Sequence, residues 1–86
     1  MTYTVLVGSS AQRSLSRLSS QALRRLDARI LRRAEGPYPP GVKRLQGKAR
    51  HLWRIRVGDY RVVYHVDDAA RIVRVVAVGL REHVYG

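Results

Sequence analysis

The stretch Leu52–Val66 leaves this chain few ways to fold. It reads Leu-Trp-Arg-Ile-Arg-Val-Gly-Asp-Tyr-Arg-Val-Val-Tyr-His-Val, with apolar and basic residues alternating on both sides of Gly58-Asp59. A period of two belongs to extended strands, and a Gly-Asp pair between two such runs marks a tight hairpin turn. A two-residue turn sets Val57 opposite Tyr60, Arg56 opposite Arg61 and Ile55 opposite Val62. Trp53, Ile55, Val57, Tyr60, Val62 and Tyr64 then share one side. Arg54, Arg56 and Arg61 share the other with Val63 and His65. An isolated hairpin is marginal in water, so the apolar side requires a cover.

The upstream sequence supplies that cover. Thr2–Val7 is short, apolar and β-branched, which predicts a first strand ended by Gly8. Ser9-Ser10-Ala11-Gln12 resembles a capping box with Ser9 as N-cap and Gln12 reaching back. Ala11, Leu15 and Leu18 follow at helical spacing. Ser19-Ser20 offers a second cap before Leu23, Leu26 and Ile30, again three and four apart, while Arg24, Arg25, Arg29, Arg32 and Arg33 fill the rest of that helix. The helix should stop near Gly36-Pro37. Pro37–Arg50 reads as a loop, with three Pro, two Gly and four basic residues. Ile72–Val78 is apolar at nearly every position except Arg74, as in a strand covered on both faces. The expected fold is α+β in the order β-α-α-β-β-β, with a helical hairpin packed on one face of a small, mainly antiparallel sheet, and one domain over residues 1–86.

Charge narrows the function classes. Seventeen Lys and Arg stand against six Asp and Glu, a formal net charge of +11. Such a field draws in polyanions such as nucleic acid, the ribosome or an acidic protein. There is no cysteine, which excludes disulfides and thiolate metal sites and fits a reducing compartment. His51, His65 and His83 lack ligand spacing, so neither metal nor cofactor is expected. With no apolar run of about 18 residues and no signal pattern, the chain reads as cytoplasmic, without a membrane partner. Like charges directly across a hairpin cost some tenths of a kcal/mol, up to about 1. A merely solvated face would need acids to balance Arg54, Arg56 and Arg61, and acids are scarce. The better reading is an anion site built from preorganised guanidiniums.

Lys43-Arg44-Leu45-Gln46-Gly47 followed by Leu52–Tyr64, and the ending Val78-Gly79-Leu80-Arg81 with Tyr85, resemble the RelE/ParE toxin superfamily over essentially the whole chain. The resemblance implies the toxin of a type II toxin-antitoxin system, with a cognate acidic antitoxin as partner in a hetero-oligomer. Two activities are implied by the family: RelE-like cleavage of mRNA in the ribosomal A site, and ParE-like poisoning of DNA gyrase without nuclease activity. By the same resemblance the catalytic set is Arg54, Arg56, Arg61, Arg81 and Tyr85, which favours the nuclease. Lys43, Arg44, Lys48, Arg50 and His83 are expected to bind RNA. Leu80 departs from the family, where some relatives carry His or Lys. Metal-free RNA cleavage can use the 2′-hydroxyl against the adjacent phosphate, with a base, an acid and cations for the developing charge. Arginine stays protonated, so the arginines stabilise and position. Tyr85 could act as base once surrounding positive charge lowers its pKa from about 10, or stack on a nucleobase. His83 is a competing base.

Overall fold

A computed structural model describes residues 2–80. The elements are β1 (Thr4–Val7), α1 (Ser9–Ser16), α2 (Ser20–Leu31) with a 3-10 turn at Arg32–Ala34, β2 (Lys43–Arg44), a second 3-10 turn at Gly47–Ala49, β3 (Trp53–Val57), β4 (Tyr60–Asp67) and β5 (Ile72–Leu80). The sheet order is β1-β5-β4-β3-β2, parallel only where β1 meets β5. This is the expected α+β architecture with one addition. The segment read as loop donates a two-residue edge strand, pairing Lys43 with Arg54 and Arg44 with Trp53.

The hairpin register is the one the alternation dictates: Val57 opposite Tyr60, Arg56 opposite Arg61, Ile55 opposite Val62. Gly58 takes φ +61° while Asp59 stays at negative φ, the pattern of a type II′ turn that needs glycine first. Periodicity also fixes the helix faces. Ala11 and Leu15 of α1 and Leu26 and Ile30 of α2 are buried against Ile55, Val57, Val62, Tyr64, Val73, Val75 and Val78, with Leu18 and Leu23 partly buried beside them. Each large apolar side chain buried there contributes about 1.5–3 kcal/mol. α1 lies over β5 and α2 reaches β3, so the helices cover one face.

At the helix starts, one cap differs from the reading of the sequence. Ser19 does cap α2, accepting from the Ala22 N–H at 3.2 Å. At α1 the N-cap is Gly8 rather than Ser9, and Gln12 reaches back as a donor to the Val7 carbonyl. The cause is tertiary. Gly8 donates its N–H to Val75 O at 2.8 Å, and a Cβ there would lie 3.2 Å from that oxygen.

The outer face, opposite the helices, is not uniformly solvated. Leu52 and Val63 form a second buried cluster with Leu45, Ala49, Val76 and Ala77, so the 45–51 segment folds across part of that face. A register shift places Val63 opposite Ala77 and Tyr64 opposite Val75. Val76 is the bulged residue, and Val76 and Ala77 both turn outward. The bulge lets β5 serve both clusters.

Candidate functional site

Strand alternation places Arg54, Arg56 and Arg61 together on the outer face. Arg56 and Arg61 are directly opposed, and Arg54 sits opposite Val63. Cross-strand partners share a face, so Lys43, opposite Arg54, joins them at the edge. On the far side of β4, Arg61 pairs with Gly79 and Tyr60 with Leu80. β5 is therefore the immediate neighbour of the hairpin, and Arg81 follows Leu80 in sequence. Arg81, His83 and Tyr85 themselves lie outside the described residues. Arg54 is half-buried and its Nε has no acceptor among the described residues, whereas Arg56 is exposed.

The other basic positions separate. Arg44 turns to the helical side, where its guanidinium lies 5.5 Å from the Trp53 ring centre and its Nε donates to Arg50 O at 2.6 Å. The structure does not bring it to the arginine face. Lys48 and Arg50 line a shallow, open depression with Gly47 and His51, and the His51 and His65 rings lie 6.1 Å apart. That pair went unremarked in sequence, since the two histidines meet only because the 45–51 segment folds over. Among the described residues no group of three or more His, Asp or Glu is placed to hold a metal.

Sequence reasoning also missed the groove beside the site. Arg29, Lys43, Arg54 and Arg56 line a cavity of about 360 Å³ with Pro40, Gly41 and Ile55. Among the described residues four cations and no carboxylate border it, which makes this stretch of the groove electropositive. Arg29 carries no strand-like signal, because its place depends on how α2 docks against the edge of β3.

Two tyrosine clusters hold the frame. Asp68 accepts from the hydroxyls of both Tyr3 and Tyr38, and those hydrogen bonds hold its carboxyl below the usual range. Burial, reinforced by the Asp68 hydrogen bond, pushes Tyr38 up to about 12. Tyr38 stacks edge-on against Trp53 at 5.0 Å, which fixes the 37–42 segment that walls the groove. Beneath the sheet, Tyr64 donates to Pro37 O. Burial raises its pKa and lowers that of neighbouring Arg33.

Comparison with known proteins converges on one group. Residues 5–85 match the family model described as the ParE toxin of type II toxin-antitoxin system, parDE. Among solved structures, the archaeal RelE–RelB complex from Pyrococcus horikoshii OT3 is 27% identical, covering 98% of this chain and 100% of that one, with a TM-score of 0.82. The RelBE2 toxin-antitoxin complex from Mycobacterium tuberculosis is also 27% identical, covering 94% of this chain and 100% of that one, at 0.73. A YoeB/ParE toxin from Agrobacterium tumefaciens shares the fold at 17% identity, covering 91% and 98%, with a TM-score of 0.78. No curated protein sequence matches the chain.

Proposed function

This chain belongs to the RelE/ParE toxin superfamily of type II toxin-antitoxin systems, and from that premise we propose that it is a ribosome-dependent mRNA endonuclease. One observation carries the choice of target: Arg54, Arg56 and Arg61 occupy one face of the β3–β4 hairpin, with Arg56 directly opposite Arg61. A toxin that only had to trap another enzyme would not need an intramolecular like-charge pair, which costs stability. A phosphate between those guanidiniums relieves the repulsion and gains charge-assisted hydrogen bonds.

In the proposed reaction the 2′-oxygen of the substrate attacks the adjacent phosphorus. The bond to the 5′-oxygen breaks, leaving a 2′,3′-cyclic phosphate and a 5′-hydroxyl. The 2′-proton passes to a base from the C-terminal segment, Tyr85 or His83, and the leaving 5′-oxygen takes up a proton from water. Arg54, Arg56, Arg61 and Arg81 stabilise charge on the phosphorane rather than exchange protons. Several cations without a well-matched base make a weak nuclease alone. The ribosome, by holding mRNA in line, supplies the positioning that completes the site.

The family model bears the ParE name, and that observation supports a second reading, a gyrase-directed toxin. The two separate in one experiment. Purified toxin is incubated with programmed ribosomes and read by primer extension, alongside a gyrase supercoiling assay. We expect cleavage of ribosome-bound mRNA, negligible cleavage of naked RNA and unaffected supercoiling. Arg61→Ala should slow cleavage by about a hundredfold, or about 3 kcal/mol, while circular dichroism shows a folded protein. Gyrase inhibition with translated mRNA left whole overturns the nuclease reading.

A further inference from the structure

β3 is only partly covered along its outer edge. β2 pairs with Trp53 and Arg54 and then ends, and the preceding chain leaves through Pro40 and Gly41. The ladder bond from Leu45 N–H to Leu52 O, continued by alternation, directs the N–H and C=O of Arg54 and Arg56 toward this edge. At Arg56 no strand among the described residues meets them. The opening is the groove of about 360 Å³, where Arg29 comes from α2, Lys43 from β2 and Arg54 and Arg56 from β3. Gly41 sits on its wall at φ +86° with nothing within 4 Å of where a Cβ would stand.

We propose that this groove is a second phosphate subsite, which carries the RNA strand from the arginine face around the edge of β3 to α2. The inference rests on the reading of the arginine face as an RNA site. Two features select a phosphodiester chain over an acidic peptide. Arg54 and Arg56 belong both to the groove and to the outer face, so a strand lying on one continues into the other. The edge left open among the described residues, Ile55–Val57, is too short for an added peptide strand to gain a useful ladder.

The test uses the full chain and a short fluorescein-labelled 2′-O-methyl oligouridylate, which cannot undergo 2′-hydroxyl attack. Binding is followed by anisotropy across a salt titration. Removing two cations with Arg29→Ala plus Lys43→Ala should weaken binding about tenfold. It should also lower the log–log salt slope by about 1.4, the release expected for two single-strand phosphates. The pair Arg13→Ala plus Arg24→Ala removes the same charge outside the groove and should shift affinity less than threefold. Thermal unfolding of both variants confirms folding. Equal losses for the two pairs, no loss, or no binding by the unaltered protein overturns the proposal. So does a glutamate-rich peptide that binds as tightly with the same dependence on Arg29 and Lys43. Because the probe is not cleaved, the outcome is independent of catalysis. Ribosome-dependent cleavage with no groove effect removes only the subsite, and groove binding without cleavage removes only the nuclease.

Discussion

Arg33 carries a guanidinium into the core with little to receive it. It is 5% exposed. Its Nε donates to Arg29 O at 3.2 Å, but its Nη1 has no acceptor among the described residues. The neighbouring charges of Arg29 and Arg32 repel it, and burial holds its pKa below the ordinary arginine value. A buried charge without a carboxylate is often less stable than an apolar side chain of similar shape. Arg33→Met should therefore raise the thermal midpoint, with about 1 kcal/mol gained in urea unfolding at neutral pH. A loss larger than that would show that the contact with Tyr64 outweighs desolvation. Arg56 presents the complementary case at the surface. Its opposition to Arg61 costs some tenths of a kcal/mol, up to about 1, so Arg56→Thr should stabilise the fold by that amount while cutting ribosome-dependent cleavage. A variant both less stable and fully active would mean that the pair serves folding and not the substrate.

Asp68 ties three elements together, taking hydroxyl hydrogen bonds from Tyr3, which precedes β1, and from Tyr38 in the 37–42 segment, while itself lying in the β4–β5 turn. Its carboxylate form is favoured in the folded state. A carboxyl whose folded pKa is depressed contributes stability that is complete above the unfolded value of about 3.9 and is lost as pH falls through the folded value. Asp68→Asn should thus lower the thermal midpoint at pH 7, and the gap to the unaltered protein should close as pH falls from about 3.9 through the depressed folded value. A gap constant from pH 7 to pH 2.5 would show that the ionised carboxylate has no part in it. This clamp was invisible in sequence, because Tyr3, Tyr38 and Asp68 are far apart along the chain and carry no shared period. The β3–β4 hairpin was legible to the residue, since one face is apolar and a one-residue slip would expose it. With it came Arg54, Arg56 and Arg61 as a group. β2 was not legible, because two residues among prolines and glycines look like any loop. The bulge at Val76 and Ala77 was hidden for a different reason: an unbroken apolar run has no alternation to interrupt. Arg44 read as one more basic loop residue, yet tertiary packing gives it to Trp53. The Arg29 groove likewise exists only once α2 has docked.

At the scale of the molecule, the formal charge of +11 works against the chain until something neutralises it. α2 and the 3-10 turn after it concentrate part of that charge in Arg25, Arg29 and Arg32, which with Ala28 and Val57 form a cleft of about 250 Å³, and Leu31 stands 64% exposed at the end of the helix. An acidic segment with an apolar residue or two suits that surface better than either charge or hydrophobicity alone. The similar archaeal RelE was solved in complex with RelB and the mycobacterial RelBE2 as a toxin-antitoxin complex, which supports a cognate antitoxin here. Most of the attraction would be between partly solvated charges, so it should be screened as the Debye length shrinks from about 10 Å at 0.1 M salt to about 3 Å at 1 M. We expect the antitoxin affinity, measured by calorimetry, to fall at least about tenfold over that range, mainly through slower association. Arg29 borders both this cleft and the groove beside the arginine face. Antitoxin seated on α2 should therefore displace the 2′-O-methyl oligouridylate competitively, and Arg25→Ala plus Arg32→Ala should weaken antitoxin binding while leaving oligonucleotide binding within about threefold. Affinity that is flat between low and high salt would contradict an electrostatic docking surface, and simultaneous binding of antitoxin and oligonucleotide would place the antitoxin elsewhere on the molecule.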